Sequence, residues 1–178
     1  PAPSQARAVG PAELTVRPAS GGRLMQHPVL GEISPAKHNA EAFEAEVRYR
    51  GNAIPIGIDP DGEEIEAVLA LASKVVASLE EIDENSRIVA ARDLLATHNN
   101  GWNEYDEVME DGSTRTIHNP ELTEDEFRDR LTLSAVNVLG VSNIDIWFED
   151  GGLFWGHGVC VSSFDGLDLT GARAELYG

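Results

Sequence analysis

The residues of this 178-residue chain that could do chemistry are five histidines, one cysteine and a surplus of carboxylates. His27, His38, His98, His118 and His157 form no H-x-x-x-H spacing, and none pairs with a cysteine as zinc ligands do. No metal ligands are assigned and no cofactor is expected. Cys160 needs a base to act as a nucleophile, and His157 lies an odd number of positions away on what reads as one strand. Their side chains then point to opposite faces. There is no G-x-S-x-G, phosphate-binding loop or dinucleotide fingerprint, and Gly151-Gly152 precedes a strand rather than a helix. Acidic residues number 31, so a pair chosen for acid–base work carries no information. No catalytic residue is assigned.

The elements that must position these groups are clearest between Leu131 and Tyr177. Ile144–Val161 reads as a β-hairpin whose Gly151-Gly152 forms a two-residue turn. Counting outward from that turn pairs Phe148 with Trp155, Ile146 with His157 and Ile144 with Val159, an apolar face suited to the core. The opposite face then carries Asp145, Trp147, Glu149, Phe154, Gly156, Gly158 and Cys160. Trp147 falls opposite Gly156, so its ring can cover bare backbone, a common way to stabilise a sheet. The same face also presents two aromatics and two carboxylates on a rigid hairpin, a suitable binding surface. A slip of one residue would exchange the faces.

Charge is the dominant global property: 13 basic residues against 31 acidic ones, a net −18. Residues 1–38 hold Arg7, Arg17, Arg23 and Lys37 against Glu13 and Glu32, so this segment is +2 and the remainder is −20. Such a body repels nucleic acid and anionic membrane and attracts basic proteins. Solubility or adaptation to salt would account for the acidity equally well; Lys37 and Lys74 are the only lysines. No apolar run approaches a membrane span and no signal peptide is recognisable. A single cysteine fits a reducing compartment, so a cytoplasmic location is expected.

Along the chain, residues 1–38 read as a flexible arm rich in Pro, Ala, Gly and Ser, with a short apolar element near Leu24–Leu30, and residues 39–178 as one domain. Phe43, Ala45, Val47 and Tyr49 alternate with charged residues as a half-buried strand. Gly51-Asn52 turns into a second strand through Ile54, Ile56 and Ile58, which Pro55 places at an edge or bulge. Ile65 to Leu79 recurs at helical spacing, with Asp61 and Glu64 resembling a capping box. Asp83–Ser86 breaks the pattern, and a second helix runs from about Ser86 to Thr97, closed by His98–Gly101. Residues 102–120 read as a long polar loop turning at Asp111-Gly112, in which Trp102, Tyr105, Asp106, Glu107 and His118 frame a ligand or cap the core. Thr123-x-x-Glu126 starts a short helix by a capping box. Strands are expected at Leu131–Leu139, Asn143–Asp150, Leu153–Ser162 and Leu167–Tyr177. This order predicts an α+β fold: a mostly antiparallel sheet, made of the N-terminal hairpin and four C-terminal strands, with two or three helices packed on one face.

A tryptophan after the helical pair (Asn100-Gly101-Trp102), a short acidic helix (Thr123–Arg130), an acidic turn (Glu149-Asp150), an F-x-G-H strand (Phe154-Trp155-Gly156-His157) and a terminal Gly178 resemble an uncharacterised bacterial family, domain of unknown function 2262. The likeness covers roughly residues 40–178. It implies the fold and a bacterial origin, and no activity.

The first functional expectation is a non-enzymatic acidic binding protein, of the type of an immunity protein that inhibits a basic partner such as a toxin. Its binding residues would be Asp145, Trp147, Glu149 and Phe154, with Trp102. The second is a hydrolase or metal-dependent enzyme with its site on the 102–120 loop near Asp106, His118 and His157. The third is an assembly component that wraps a neighbour with residues 1–38.

Overall fold

A computed structural model describes residues 15–19 and 22–178. Nine strands form one sheet in the order β1 (Thr15–Ala19), β2 (Gly22–His27), β3 (Gly31–Pro35), β4 (Phe43–Tyr49), β5 (Asn52–Asp59), β8 (Thr132–Leu139), β9 (Asn143–Glu149), β10 (Gly158–Ser163) and β11 (Arg173–Tyr177). Every neighbouring pair is antiparallel except β5 and β8, which run parallel. A parallel pair needs a long crossover. Here it carries helices α1 (Ile65–Ala77) and α2 (Leu79–Thr97), a π-helical turn (His98–Trp102), a separate hairpin of β6 (Glu104–Val108) and β7 (Thr114–His118), and α3 (Glu124–Arg130). The fold is α+β, a mostly antiparallel sheet with three helices.

The helices pack on the sheet face that carries Ile56, Ile58, Val136, Ile146 and Val159, all buried. Alternation in β4 sets this up locally: Ala45 points inward while Glu44 and Glu46 stay exposed. Pro55 does not put β5 at an edge. The strand lies inside the sheet, and its ladder with β8 begins only at Ile56, so the missing N–H at Pro55 leaves that ladder intact.

The helix boundaries differ from the sequence pattern. The break comes at Ser78, and α2 runs unbroken through Asp83 and Ser86. Both are fully buried; Asp83 meets Arg87 one turn on at 2.7 Å and accepts from Tyr49 at 3.0 Å and Arg50 at 3.2 Å, whereas the Ser86 hydroxyl has no partner. A polar residue type concealed a core position. Arg87 also donates to the carbonyls of Arg128 and Leu131, which ties the end of α3 to α2. Helix α1 starts at Ile65 without a side-chain cap, whereas the Thr123–Glu126 capping box of α3 is fully formed.

The segment expected as an arm contributes strands. Residues 22–27 and 31–35 extend the sheet beyond β4, and Leu30 and Ile33 enter the core. Residues 1–14 lie outside the described residues. The 102–120 segment forms the β6–β7 hairpin instead of an irregular loop. The last expected strand is confined to Arg173–Tyr177. Among the described residues, no helix is long and apolar enough to cross a membrane.

Candidate functional site

The connection from β9 to β10 is held by side-chain to backbone hydrogen bonds. It is not a two-residue turn: β10 starts at Gly158, and Gly158 pairs with Glu149, Val159 with Phe148 and Val161 with Ile146. Residues 150–157 are therefore loop. The register moves by four positions against the count from Gly151-Gly152. An even shift preserves the inward face of β9, so Ile144, Ile146 and Phe148 are buried as expected. Gly151 has φ +56, and a Cβ there would collide with the Arg130 carbonyl oxygen. Gly151 answers a close approach to α3 and Gly152 a φ of +85, and the pair looks identical to a hairpin turn in sequence.

Asp150 holds this loop. Its buried carboxylate accepts backbone N–H groups from Gly152 (3.1 Å), Phe154 (2.6 Å) and Gly156 (3.1 Å). The clamp drives Leu153 and Phe154 into the core. Phe154 is fully buried, edge-on to His98 (5.9 Å), Phe127 (6.0 Å) and Trp102 (5.5 Å). It is not a surface residue, which corrects its place among the expected binding side chains. The next residue is displayed instead. Trp155 adopts φ +56 and leaves its ring 65% exposed against Trp102, with centroids 4.7 Å apart. His157 sits beside the same indole at 5.2 Å, with Nδ1 2.6 Å from the Phe154 carbonyl oxygen.

These rings wall a cleft of about 600 Å³ between the loop, the π-helical turn, the β6–β7 hairpin and α3. Trp102, Tyr105, Glu121, Glu126, Arg130 and Trp155 line it. The carboxyl of Glu126 is held below the usual carboxylate range by hydrogen bonds from the backbone and side chain of Thr123. Trp102 was expected to bind, and it does line this cleft. Trp155 was read as a core residue opposite Phe148. Its exposure depends on a left-handed backbone conformation that no residue pattern announces.

Asp145, Trp147 and Glu149 lie together on the other face of the sheet, as alternation required. Asp145 accepts from the Ser162 hydroxyl at 2.6 Å. Trp147 pairs with Cys160, not Gly156, and its ring covers the glycine of β10, Gly158, from one side while packing on Tyr177 at 5.0 Å. Its indole nitrogen is buried without an acceptor. Cys160 is buried beneath this pair, and burial pushes its thiol up to about 12. Continued across the ladders, and among the residues whose side chains are described, the same face presents Glu32, Glu44, Glu46, Asp59, Asp145, Glu149 and Glu175 against Arg48 and Arg173.

The residues considered for an enzymatic centre are not brought together. His118 pairs with Glu104 at 2.9 Å and Asp106 accepts from Thr116 at 2.7 Å, on the face of the β6–β7 hairpin opposite to Tyr105. His157 belongs to the aromatic cluster instead. Among the described residues, no group of three His, Cys, Asp or Glu is arranged to hold a metal ion.

No curated protein and no solved structure matches this chain. A family model does match, over residues 27–169, and so reaches back to the end of β2, further than the likeness read from residue 40. The chain belongs to the domain of unknown function 2262 family, described as an uncharacterized protein conserved in bacteria.

Proposed function

We propose that this protein is a non-enzymatic, cytoplasmic binding protein that docks a basic protein partner on the acidic face of its sheet, in the manner of an immunity protein neutralising a toxin. The observation that carries the reading is the concentration of seven carboxylates against two guanidinium groups, among the residues whose side chains are described, on the face that the helices leave uncovered. A net charge of −18 supports it, since a negative field accelerates encounter with a cationic partner and disfavours nucleic acid. Trp147 and Tyr177 supply apolar area towards the β11 edge of the charged surface, where Asp145, Glu149 and Glu175 surround them, aromatic and acidic groups side by side as at an interface. The buried, neutral thiol of Cys160 under the same pair is unsuited to nucleophilic work.

The test is capture from the native host lysate by the wild-type protein and by the double charge reversal Glu44→Lys, Glu175→Lys. Both side chains are exposed, so neither substitution touches the core. A stoichiometric basic protein that binds the wild type, is released by salt and is lost in the variant supports the reading. Co-expression that relieves that partner's toxicity would give it the immunity role. Capture that is indifferent to both salt and charge reversal overturns it.

A further inference from the structure

We propose that the cleft bounded by Trp102, Tyr105 and Trp155 binds a guanidinium group, as presented by an arginine side chain. The inference stands apart from the docking face, because the cleft lies on the other side of the 150–157 loop and can be probed with small molecules. Three observations carry it. First, aromatic surface is displayed at a conformational cost: Trp155 is held at φ +56 by the Asp150 clamp, and 65% of it remains exposed. Tyr105 adds a second ring, 49% exposed, from the facing hairpin. Residues kept in sparsely populated backbone regions cluster at ligand sites, since the surrounding structure must sustain their strain.

Second, the cleft carries negative charge. Glu121 and Glu126 line it, and the backbone and hydroxyl of Thr123 donate to the Glu126 carboxylate at 2.8 Å, which favours its charged form. Arg130, one turn after Glu126, is the cation of the lining and acts on that carboxylate, and among the described residues no ion pair engages Glu121. Third, the indole faces are not already occupied by the chain's own cations. Among the described residues, guanidinium groups lie over Tyr49 (Arg50, 5.1 Å) and Phe148 (Arg87, 5.4 Å), and none lies over Trp102 or Trp155. A planar, weakly hydrated guanidinium stacks on an indole and donates to a carboxylate at once, which an ammonium does less well. A phosphate or carboxylate ligand would meet both the local acids and the net −18.

The experiment is an NMR titration of the intact protein, following the indole N–H signals and backbone amides. The probes are the peptide amide Arg-Gly-Arg, its lysine counterpart Lys-Gly-Lys, and methyl glucoside as a neutral stacking ligand. The expected result is a saturable shift centred on Trp102, Tyr105 and Trp155 with the arginine peptide, several-fold weaker with the lysine peptide. Trp155→Ala weakens it roughly tenfold. Trp155→Tyr, which keeps a ring, retains most of the binding, and Phe164→Ala, remote and exposed, leaves it unchanged. Unchanged amide spectra elsewhere in Trp155→Ala confirm its fold. Shifts spread over the acidic surface without saturation, arginine affinity indifferent to Trp155→Ala, or saturation by methyl glucoside alone would each overturn the proposal. Loss of the protein partner in charge-reversal variants, with arginine binding intact, would separate the two sites.

Discussion

At Cys160 the polarity of the environment decides the chemistry of the side chain. The thiol lies beneath Trp147 and Tyr177, bonded weakly to the Ser162 hydroxyl at 3.7 Å, and burial pushes it up to about 12. Tyr49 is also raised to about 12, first by burial and then by its hydrogen bond to Asp83. Both groups bind their protons more tightly in the folded state than in the unfolded one. The stability they contribute is full below their unfolded values of 9.0 and 10.0 and is lost as the pH rises towards 12. Thermal melts should therefore show the transition temperature falling between pH 9 and 12, and Cys160→Ser should remove the lower part of that fall. At pH 8 a thiol reagent should leave the native protein unlabelled and label it fully in denaturant, measured by absorbance. Rapid native labelling would contradict the burial. Residue type alone indicated a lone cysteine; only its neighbours make it inert.

Among the elements, α2 depends on a buried ionic cluster. Asp83, with no exposed surface, is shared by Arg87, Arg50 and Tyr49, and Arg87 holds the carbonyls of Arg128 and Leu131. Asp83→Ala leaves a guanidinium that is only 13% exposed without its counter-charge. Breaking such a pair from one side costs about 3–5 kcal/mol, which urea unfolding should show as a lower midpoint. Because Arg87 also anchors the end of α3, the loss should spread to the Arg130–Gly151 contact, visible as faster amide exchange in residues 150–157. A midpoint within error of the wild type would mean that the cluster is not coupled to folding. This element also explains a failure of pattern reading. Asp and Ser in Asp83–Ser86 resemble a helix break, yet both are core positions: Asp83 is satisfied by residues 33 and 34 positions away in sequence, and the Ser86 hydroxyl is buried without a partner. In the β9–β10 connection, a glycine pair required by the approach of Gly151 to α3 and by the positive φ of Gly152 imitated a two-residue turn. The strands themselves were legible because alternation needs only local information: β4, β5, β8 and β9 fall where periodicity places them, and the even register shift kept β9 the right way in.

For the whole molecule, the consequence of 31 acidic residues against 13 basic ones is a long-range field. Association with a basic partner should be fast at low ionic strength and slow steeply as salt screens that field, with the Debye length shrinking from roughly 30 Å at 0.01 M to about 10 Å at 0.1 M. Stopped-flow measurement should find the association rate falling about tenfold or more over this range, with dissociation changing far less. A rate independent of salt would remove electrostatic steering from the account. What the amino-acid sequence determined by itself is whatever depends on composition and short-range period: the charge, the α+β class, the capped start of α3 and the outward face of β9 with Asp145, Trp147 and Glu149. Tertiary structure alone decided that Phe154 is buried while Trp155 is displayed, that β2 and β3 join the sheet, and that Tyr105 meets Trp102 and Trp155 around one cleft. These outcomes depend on contacts between segments far apart in the chain and on a backbone conformation at Trp155 that the Asp150 clamp sustains, neither of which leaves a periodic mark in the sequence.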